Sequence, residues 1–523
     1  MSKYKIGIDV GSTHTDAVIL DENNNFVAAA KTMTTSDITS GIINSLKLVL
    51  NKANISKDEI QAVMFGTTHI INAIVQRKGL NKVGVIRIGL PATEAVGPMV
   101  DWPKDLKSAI YGADILVKGG HEYTGEEISR FDEESVIKTL HNFINHNIET
   151  IAVTSVFSVV NPEHENKVKF LAERICPNIP VVLSHEISTI GLIERENATI
   201  LNATTIGVMK NTISNLKKSL NDLGLSHAKL YFAQNDGTTA SSEYISKFPI
   251  FTIVAPISNS IRGAYVLTNI PNAIVADTGG TTTNIGALVN GYPREALEID
   301  ISGVRTNIRS PDVIAVGLAG GSIVSLKEND IKIGPVSVGY KLIHEGIAWG
   351  GNILTATDVA LGIGYMNIDD PNCNPSLILK KYDKEILLKV YKKMIDMLEE
   401  SLDRIKTRPE PETVILVGGG SAMWPKKLSV ASEVIRPEYA QYANAVGAAT
   451  ALIGATVEKA FSYEQIDRSK AISETAKEAK ERAILAGAMP TSIEIAEVEE
   501  IAMPYLPGNA VKIRVKAVGK LSL

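Results

Sequence analysis

Two carboxylates occupy matching places in the 523-residue chain. Asp9 closes the apolar run Ile6-Gly7-Ile8 and is followed by Val10-Gly11-Ser12-Thr13, while Asp277 closes Ile274-Val275-Ala276 and is followed by Thr278-Gly279-Gly280-Thr281-Thr282. Glycines and hydroxyl residues directly after a strand present backbone N–H and O–H groups to an anion, and an Asp beside them can hold a hydrated Mg²⁺. One such turn is equally well a capped hairpin, since Gly, Asp and Ser are ordinary turn formers. The second copy moves the balance toward a phosphate clamp. A third element, Val414 to Val417 running into Gly418-Gly419-Gly420-Ser421, lets the backbone approach a flat ligand such as an adenosine, or makes a tight strand-to-helix turn. Neither a Walker A sequence nor a GxGxxG opening a helix is present, so P-loop and Rossmann sites have no support.

Other residues carry two readings each. His69 follows Gly66-Thr67-Thr68 where a strand gives way to a helix, a place to meet substrate or phosphate, or else a bystander after an N-cap Thr. Glu194, Arg195 and Glu196 either clamp a polar substrate or form a solvated helix face or interdomain ion pair. His121 and His344 have no metal-ligand spacing. The chain carries no HExxH and no Ser-His-Asp arrangement, so covalent or zinc hydrolysis by this chain alone is disfavoured.

The elements that must position these groups alternate in type. Tyr4–Val10, a strand through Ala17 to Leu20 and Phe26–Lys31 form a β-meander, followed by a helix around Ile38–Ala53 and a strand at Val63–Phe65. Residues 91–127, richer in Gly, Pro and charge, read as an inserted lobe or long loop region. Helix and strand then alternate to about residue 190. A long helix (194–223) leads to a strand at 230–232, a helix near 259–267 and a strand at 273–277, where the strand-turn-strand opening of the chain recurs. Two halves that open alike suggest duplicated domains facing each other. Helices at 384–406 and 443–457 flank the strand at 413–417, and the tail from Glu464 reads as a charged helix and a hairpin (492–501 with 510–518) forming an appendage. The expected division is 1–190, 191–455 and 456–523.

Composition narrows the classes. Fifty-three basic against 58 acidic residues give a net charge of −5 without long charge runs, so there is no electrostatic footprint for nucleic acid. Two distant cysteines, Cys176 and Cys373, offer neither a disulfide framework nor a metal pair. No stretch reaches about 18 apolar residues and the start lacks an apolar targeting segment, so no membrane association and a cytoplasmic location are expected.

In order, the three glycine-rich elements resemble the phosphate-1, phosphate-2 and adenosine motifs of the actin, Hsp70 and sugar-kinase superfamily. The resemblance narrows with Asp9 to Asp16, Gly66-Thr67-Thr68-His69-Ile70-Ile71-Asn72-Ala73, Glu194-Arg195-Glu196-Asn197-Ala198-Thr199, Asp277 to Thr283, Gly317-Leu318-Ala319-Gly320-Gly321-Ser322 and Thr355-Ala356-Thr357-Asp358. These are similar to successive signatures of the hydantoinase A/5-oxoprolinase family. The resemblance implies an α/β fold of duplicated actin-like (ribonuclease H-like) domains with a nucleotide cleft between them, and ATP and Mg²⁺ as cofactors. Asp9 and Asp277 would organise the metal. Gly11, Ser12, Thr13 and Thr278, Gly279, Gly280, Thr281 would clamp phosphates, and Gly418, Gly419 and Gly420 would hold the adenosine. Thr13 and His69 join the two aspartates as catalytic candidates, with Thr67, Thr68, His69, Glu194 and Arg195 toward substrate. It also implies phosphorylation of the carbonyl oxygen of a hydantoin, 5-oxoproline or related lactam, with ring opening completed by a second hydantoinase-type subunit in a homo- or hetero-oligomer. Two alternatives stay open: a sugar or carboxylate kinase using Asp16, Asp236 or Asp358 as base, and an ATP-driven reactivase of a partner enzyme.

Overall fold

A computed structural model describes residues 3–11, 14–33, 38–327 and 330–522. The expected phosphate ligands Ser12 and Thr13 lie outside the described residues. The chain opens with β1 (Tyr4–Val10), β2 (His14–Asp21) and β3 (Phe26–Met33), an antiparallel meander whose register sets Asp9 opposite Asp16. Ile6 and Ile8 are fully buried, each worth about 1.5–3 kcal/mol of transfer free energy, so β1 is a central strand rather than an edge. After α1 (Ile38–Ala53), β4 (Ile60–Gly66) runs parallel to β1 and brings Gly66 beside Asp9. The helix α2 (His69–Gln76) follows at once.

Residues 83–183 then build a parallel sheet of their own. Its strands β5 (Val83–Leu90), β6 (Tyr111–Lys118), β7 (Thr150–Ser155) and β8 (Val181–Leu183) lie in the order β6–β5–β7–β8, with α3 (Glu133–Asn145) and α4 (Glu163–Ile175) in the connections. The strand β6 falls inside the stretch read from sequence as lobe or loop. It is an edge strand with mostly half-exposed side chains, so its sequence lacks the continuous apolar run of a buried parallel strand.

A short turn of helix, α5 (Ser184–Ile187), and the 31-residue α6 (Leu192–Asp222) lead back to the first sheet, where β9 (Lys229–Ala233) pairs parallel to β4 and β10 (Thr239–Ser241) pairs antiparallel to β9. The second half begins with α7 (Ala255–Thr268), β11 (Ala273–Thr278), β12 (Thr283–Val289) and β13 (Tyr292–Pro293). Further on come α8 (Ala356–Gly362), α9 (Lys384–Ile405), β14 (Glu412–Val417), β15 (Ala431–Ile435) and α10 (Ala443–Thr450). The strand order β3–β2–β1–β4–β9 of the first half is repeated as β13–β12–β11–β14–β15 in the second, with the same alternation of antiparallel and parallel pairs. The fold is therefore α/β, with duplicated actin-like, ribonuclease H-like sheets.

The region read as one helix over 443–457 divides. It leaves the helix after Thr450 and becomes β16 (Ile453–Ser462), because Ile453, Thr456 and Val457 favour a pleated surface and the segment pairs residue by residue with the last strand of the chain. The tail consists of α11 (Arg468–Leu485), β17 (Glu494–Ala502) and β18 (Ala510–Gly519). These strands extend the first sheet to nine in the order β17–β18–β16–β10–β9–β4–β1–β2–β3. Strands on both sides of position 190 share the first sheet, and position 455 lies inside β16.

Two helices tie the halves together. A Cβ on Gly263 of α7 would fall 1.9 Å from the Ala443 carbonyl oxygen, and one on Gly447 of α10 would fall 1.9 Å from that of Asn259. The same helix α10 lies on β1, where a Cβ on Gly7 would meet the Ala445 carbonyl oxygen at 2.1 Å. Backbones approach this closely only through glycine. This crossing joins the first sheet to the second.

Candidate active site between the two strand ends

The repeated turns close in the same way. The Gly11 amide donates to the His14 carbonyl at 3.0 Å, and the Gly279 amide donates to the Thr282 carbonyl at 3.0 Å. Asp9 pairs across its hairpin with Asp16, and Asp277 pairs with Asn284 at the equivalent step. Each Asp is the penultimate residue of a strand flanked by a parallel neighbour, β4 for β1 and β14 for β11.

The two aspartates face shared surroundings. Burial, then the charges of Asp16 and Asp277, push the Asp9 carboxyl well above its ordinary value, against the opposing pull of Lys31. Burial likewise raises Asp277, although Ser260 Oγ donates to it at 2.5 Å and Asn444 Nδ2 at 3.3 Å. Asp16 is raised by burial while Lys31 Nζ, 2.7 Å from its Oδ2, pulls the other way. Lys31 thus pairs with Asp16, while among the described residues no cationic side chain lies within ion-pairing distance of Asp9 or Asp277.

Its polar atoms are also left over. Asp9 Oδ1, both amide atoms of Asn259 and Asn444 Oδ1 are buried without a hydrogen-bond partner. Asn259 Nδ2 and Asp9 Oδ1 converge above Gly66, at 2.7 and 3.1 Å from where a Cβ would stand there. Unpaired buried polar atoms cost about 1–3 kcal/mol each, so such a cluster is built for something it receives. Among the described residues, no three acidic, His or Cys side chains converge closely enough to chelate an ion. The donor set fits a hydrated divalent cation that keeps its waters and phosphate oxygens as ligands, the habit of Mg²⁺.

The second turn is braced from behind. The Thr278 hydroxyl accepts from Trp424 Nε1 at 2.7 Å and from Thr283 at 3.2 Å, so this fully buried side chain shapes the turn from within. The Gly320 and Gly321 amides donate to the carbonyls of Gly279 and Gly280 at 3.3 and 2.9 Å. Gly280 and Thr281 thus stand on a rigid base. Of the three glycines after β14, Gly418 has φ +85° and a Cβ there would fall 2.3 Å from Asp277 Oδ1, while one on Gly420 would fall 2.7 Å from the Thr278 methyl. Packing against β11 requires both. A Cβ on Gly419 meets nothing within 4 Å, which makes it the glycine open to a ligand.

The remaining sequence candidates are dispersed. Thr67 Oγ1 lies 2.5 Å from His69 Nδ1 and accepts the His69 amide at 3.1 Å, holding that ring at the start of α2, directly beyond the Gly66 that adjoins Asp9. Thr68 accepts from Asn72. Arg195 is buried, with its guanidinium spent on Ser184 Oγ and the carbonyls of Thr189 and Ser155. Glu194 stands 3.9 Å from Arg305, and Glu196 forms a fully buried bidentate pair with Arg87 at 2.5 and 2.7 Å. Asp358, fully buried at the third position of α8, completes a capping box with Thr355: its Oδ2 accepts the Ile347 and Thr355 amides and the Thr355 hydroxyl, and its Oδ1 accepts the Ala348 amide, which gives it a structural role in shaping this helix start. Asn259, Ser260, Asn444 and Trp424 were not singled out in the sequence. Only their placement on α7, on α10 and after β14 brings them to the aspartates, and no local motif announces that.

With this geometry in view, comparison with known proteins is decisive for the family. Residues 5–176 match the hydantoinase/oxoprolinase N-terminal region and residues 195–405 match hydantoinase/oxoprolinase. The chain belongs to the hydantoinase/oxoprolinase family. It is 27% identical over 394 residues to caprolactamase subunit alpha of Pseudomonas jessenii, covering 70% of this chain and 55% of that one. It is 26% identical over 433 residues to an uncharacterised protein of Methanocaldococcus jannaschii, covering 77% of this chain and 62% of that one. The chain thus spans little more than half the length of these relatives. The crystal structure of the ATP-dependent caprolactamase from Pseudomonas jessenii superposes with a TM-score of 0.78 at 18% identity, over 99% of this chain and 88% of that one. That likeness shows the fold. Among the described residues no helix is long and apolar enough to cross a membrane.

Proposed function

We propose that this family member binds ATP with Mg²⁺ between the Asp9 and Asp277 turns and transfers the γ-phosphoryl group to the carbonyl oxygen of a cyclic amide. The observation that carries the reading is the duplicated turn, closed by the same hydrogen bond in both halves, with unpartnered Asp9, Asn259 and Asn444 atoms between the copies. Backbone amides of the two turns would receive phosphate oxygens from opposite sides, and Gly419 would leave room for the adenosine. Asp9 and Asp277 would hold the hydrated cation, which supplies charge neutralisation on the phosphates. Phosphoryl transfer asks a protein mainly for positioning and preorganised charge, and this arrangement offers both.

An amide is a poor electrophile because nitrogen donates into the carbonyl. In the proposed reaction the carbonyl oxygen forms a bond to the γ-phosphorus, the bond from that phosphorus to the β–γ bridging oxygen breaks, and ADP leaves. The nitrogen lone pair becomes a C=N bond and the N–H proton departs, giving an O-phosphorylated imidate. Water then adds to the imidate carbon, and the ring C–N bond breaks as the nitrogen takes a proton. A second water attacks the carbonyl carbon of the resulting acyl phosphate, releasing the ring-opened carboxylate and inorganic phosphate that keeps the original carbonyl oxygen. We assign this hydrolysis to a partner subunit, a reading supported by the relative named as one subunit of a caprolactamase. The test is ATP turnover by the purified chain against hydantoin, 5-oxoproline and simple lactams, with sugars as controls, alone and with the protein encoded beside it. Stimulation by a sugar and by no cyclic amide would replace this reading with that of a kinase.

A further inference from the structure

A second site lies two strands away from Asp9. Beyond the C-terminal end of β9, a partly open cavity of about 140 Å³ is lined by the Asn235–Asp236 loop, α5, residues 307–309 and the strands β16 and β18 of the tail. A cavity near 150 Å³ accommodates a single six-membered ring such as benzene. Phe251, Leu297, Ile308 and Ala455 provide apolar wall.

The polar wall is built but incomplete. Asn307 is 7% exposed, and its Nδ2 donates to the carbonyls of Thr189 and Ile190 at 3.2 and 3.0 Å, which fixes the amide and leaves Oδ1 an acceptor without a donor. Arg514 is 2% exposed; its terminal nitrogens are held by Glu497 and Glu295 at 2.6 and 2.5 Å, and its Nε–H has no acceptor. The Thr456 hydroxyl is also unpartnered. His185, on the same wall, has its Nδ1 anchored at 2.6 Å on Glu165. Glu165 is fully buried and also accepts from the Ser155 amide and the Ser184 hydroxyl. Burial opposes ionisation of Glu165, but the His185 bond and charge and the Arg195 charge hold it below the ordinary carboxylate range.

Every Arg and Lys of the wall already has carboxylate partners: Arg309 pairs with Glu458 and Glu499, Lys512 with Glu458, Arg514 with Glu295 and Glu497, and Arg482 with Glu478. An additional charged ligand would enter a balanced network at a desolvation cost, whereas a neutral ligand would not. The unmet demand is for one N–H donor and one carbonyl acceptor on a small apolar body. A cyclic amide presents these two groups side by side on one ring edge. We infer that this cavity binds the neutral cyclic amide, a lactam or cyclic imide of a single ring, through Asn307, Thr456 and Arg514. The inference rests on the proposed function for the class of ligand. Its link to the paired turns is physical: Asn235, on the cavity wall, accepts the Val254 amide at 3.0 Å at the start of α7, the helix that carries Asn259 and Ser260 to Asp9 and Asp277.

The test is calorimetric titration of the full chain with 2-pyrrolidinone, 2-piperidone and hydantoin, with cyclopentanone as the control that lacks N–H. Binding of an ATP analogue with Mg²⁺ is measured in parallel. Thr456→Val keeps shape and removes only the unpartnered hydroxyl, and should weaken the cyclic amide about fivefold. Ala455→Leu fills the cavity and should abolish amide binding, with nucleotide affinity unchanged in both variants. Failure of the wild type to bind any of the three amides, or wild-type amide affinity in Ala455→Leu, overturns the assignment. Amide binding lost in Ala455→Leu by a chain that binds no nucleotide would support the cavity and refute the proposed ATP chemistry instead.

Discussion

Gly418 and Gly419 are adjacent, but a methyl group added to each should do opposite things. At Gly418 the backbone has φ +85°, and a Cβ would sit 2.3 Å from Asp277 Oδ1 and 2.4 Å from the Thr278 carbonyl oxygen. Left-handed backbone costs a non-glycine residue about 1–2 kcal/mol, and overpacking against a fixed backbone adds about 1–3 kcal/mol. Gly418→Ala should therefore lose about 2–5 kcal/mol, a large part of the ~5–15 kcal/mol that holds a typical domain. At roughly 2–4 °C per kcal/mol, the melting temperature should fall on the order of 10 °C. Gly419 has no positive φ and a Cβ there touches nothing within 4 Å, so Gly419→Ala should leave stability within about 0.5 kcal/mol or raise it slightly through the unfolded chain. Its effect should appear only with nucleotide, as a loss of at least about tenfold in affinity, or about 1.4 kcal/mol. Calorimetric melting and titration with an ATP analogue read both quantities. Unchanged nucleotide affinity in Gly419→Ala would remove the adenosine role from this loop, and an unchanged melting temperature in Gly418→Ala would refute the packing argument.

Other outcomes follow from the same geometry. The native Asp9 carboxyl is raised above its unfolded value of about 3.8, so the folded state binds more protons than the unfolded one from about pH 4 upward, and this group's contribution to stability declines as pH rises through that window. Asp9→Asn should accordingly gain stability relative to wild type between pH 4 and 7 in urea titrations while losing Mg²⁺-dependent ATP binding; a stability difference that is flat with pH would show that Asp9 is not perturbed. Removing one partner of the buried Arg87–Glu196 pair, as in Glu196→Ala, should cost about 3–5 kcal/mol, and the double replacement by apolar residues less, as a double-mutant cycle would reveal. Because the clamping turns belong to two sheets, an ATP analogue should compact the particle in small-angle scattering, and an unchanged radius of gyration would count against closure.

The repeated strand-turn-strand unit was legible because its chemistry is local: strand, Asp, Gly and hydroxyl residues follow one another within a few positions, and the hairpin register follows from them. Family signatures carried the reading further, to Gly320–Gly321 and Asp358, although their structural work could not be read. Asp358 completes the Thr355 capping box while also holding the Ile347 and Ala348 amides, and the Arg195 guanidinium bonds Ser184 and the Ser155 carbonyl, partners that a residue's own neighbours in sequence do not announce. The tail was opaque for the same reason. Strands β17 and β18 read as an appendage, and the start of β16 as the end of a helix, since nothing in a hairpin's own sequence says which sheet edge it will meet; yet the three strands extend the first sheet, and β16 and β18 wall the cavity with Thr456 and Arg514. Asn259 and Asn444 were invisible as site residues. Their significance lies in the α7–α10 crossing, which depends on Gly263 and Gly447 being small enough for the helices to touch.

The central claim is that the carbonyl oxygen of the substrate takes the γ-phosphoryl group of ATP. It is tested most directly with whichever cyclic amide stimulates ATP turnover, labelled with ¹⁸O at its carbonyl and turned over in unlabelled water by the chain and its partner. The account predicts one ¹⁸O atom in the inorganic phosphate for each ring opened. Phosphate free of label, with ¹⁸O retained in the carboxylate product, would contradict it.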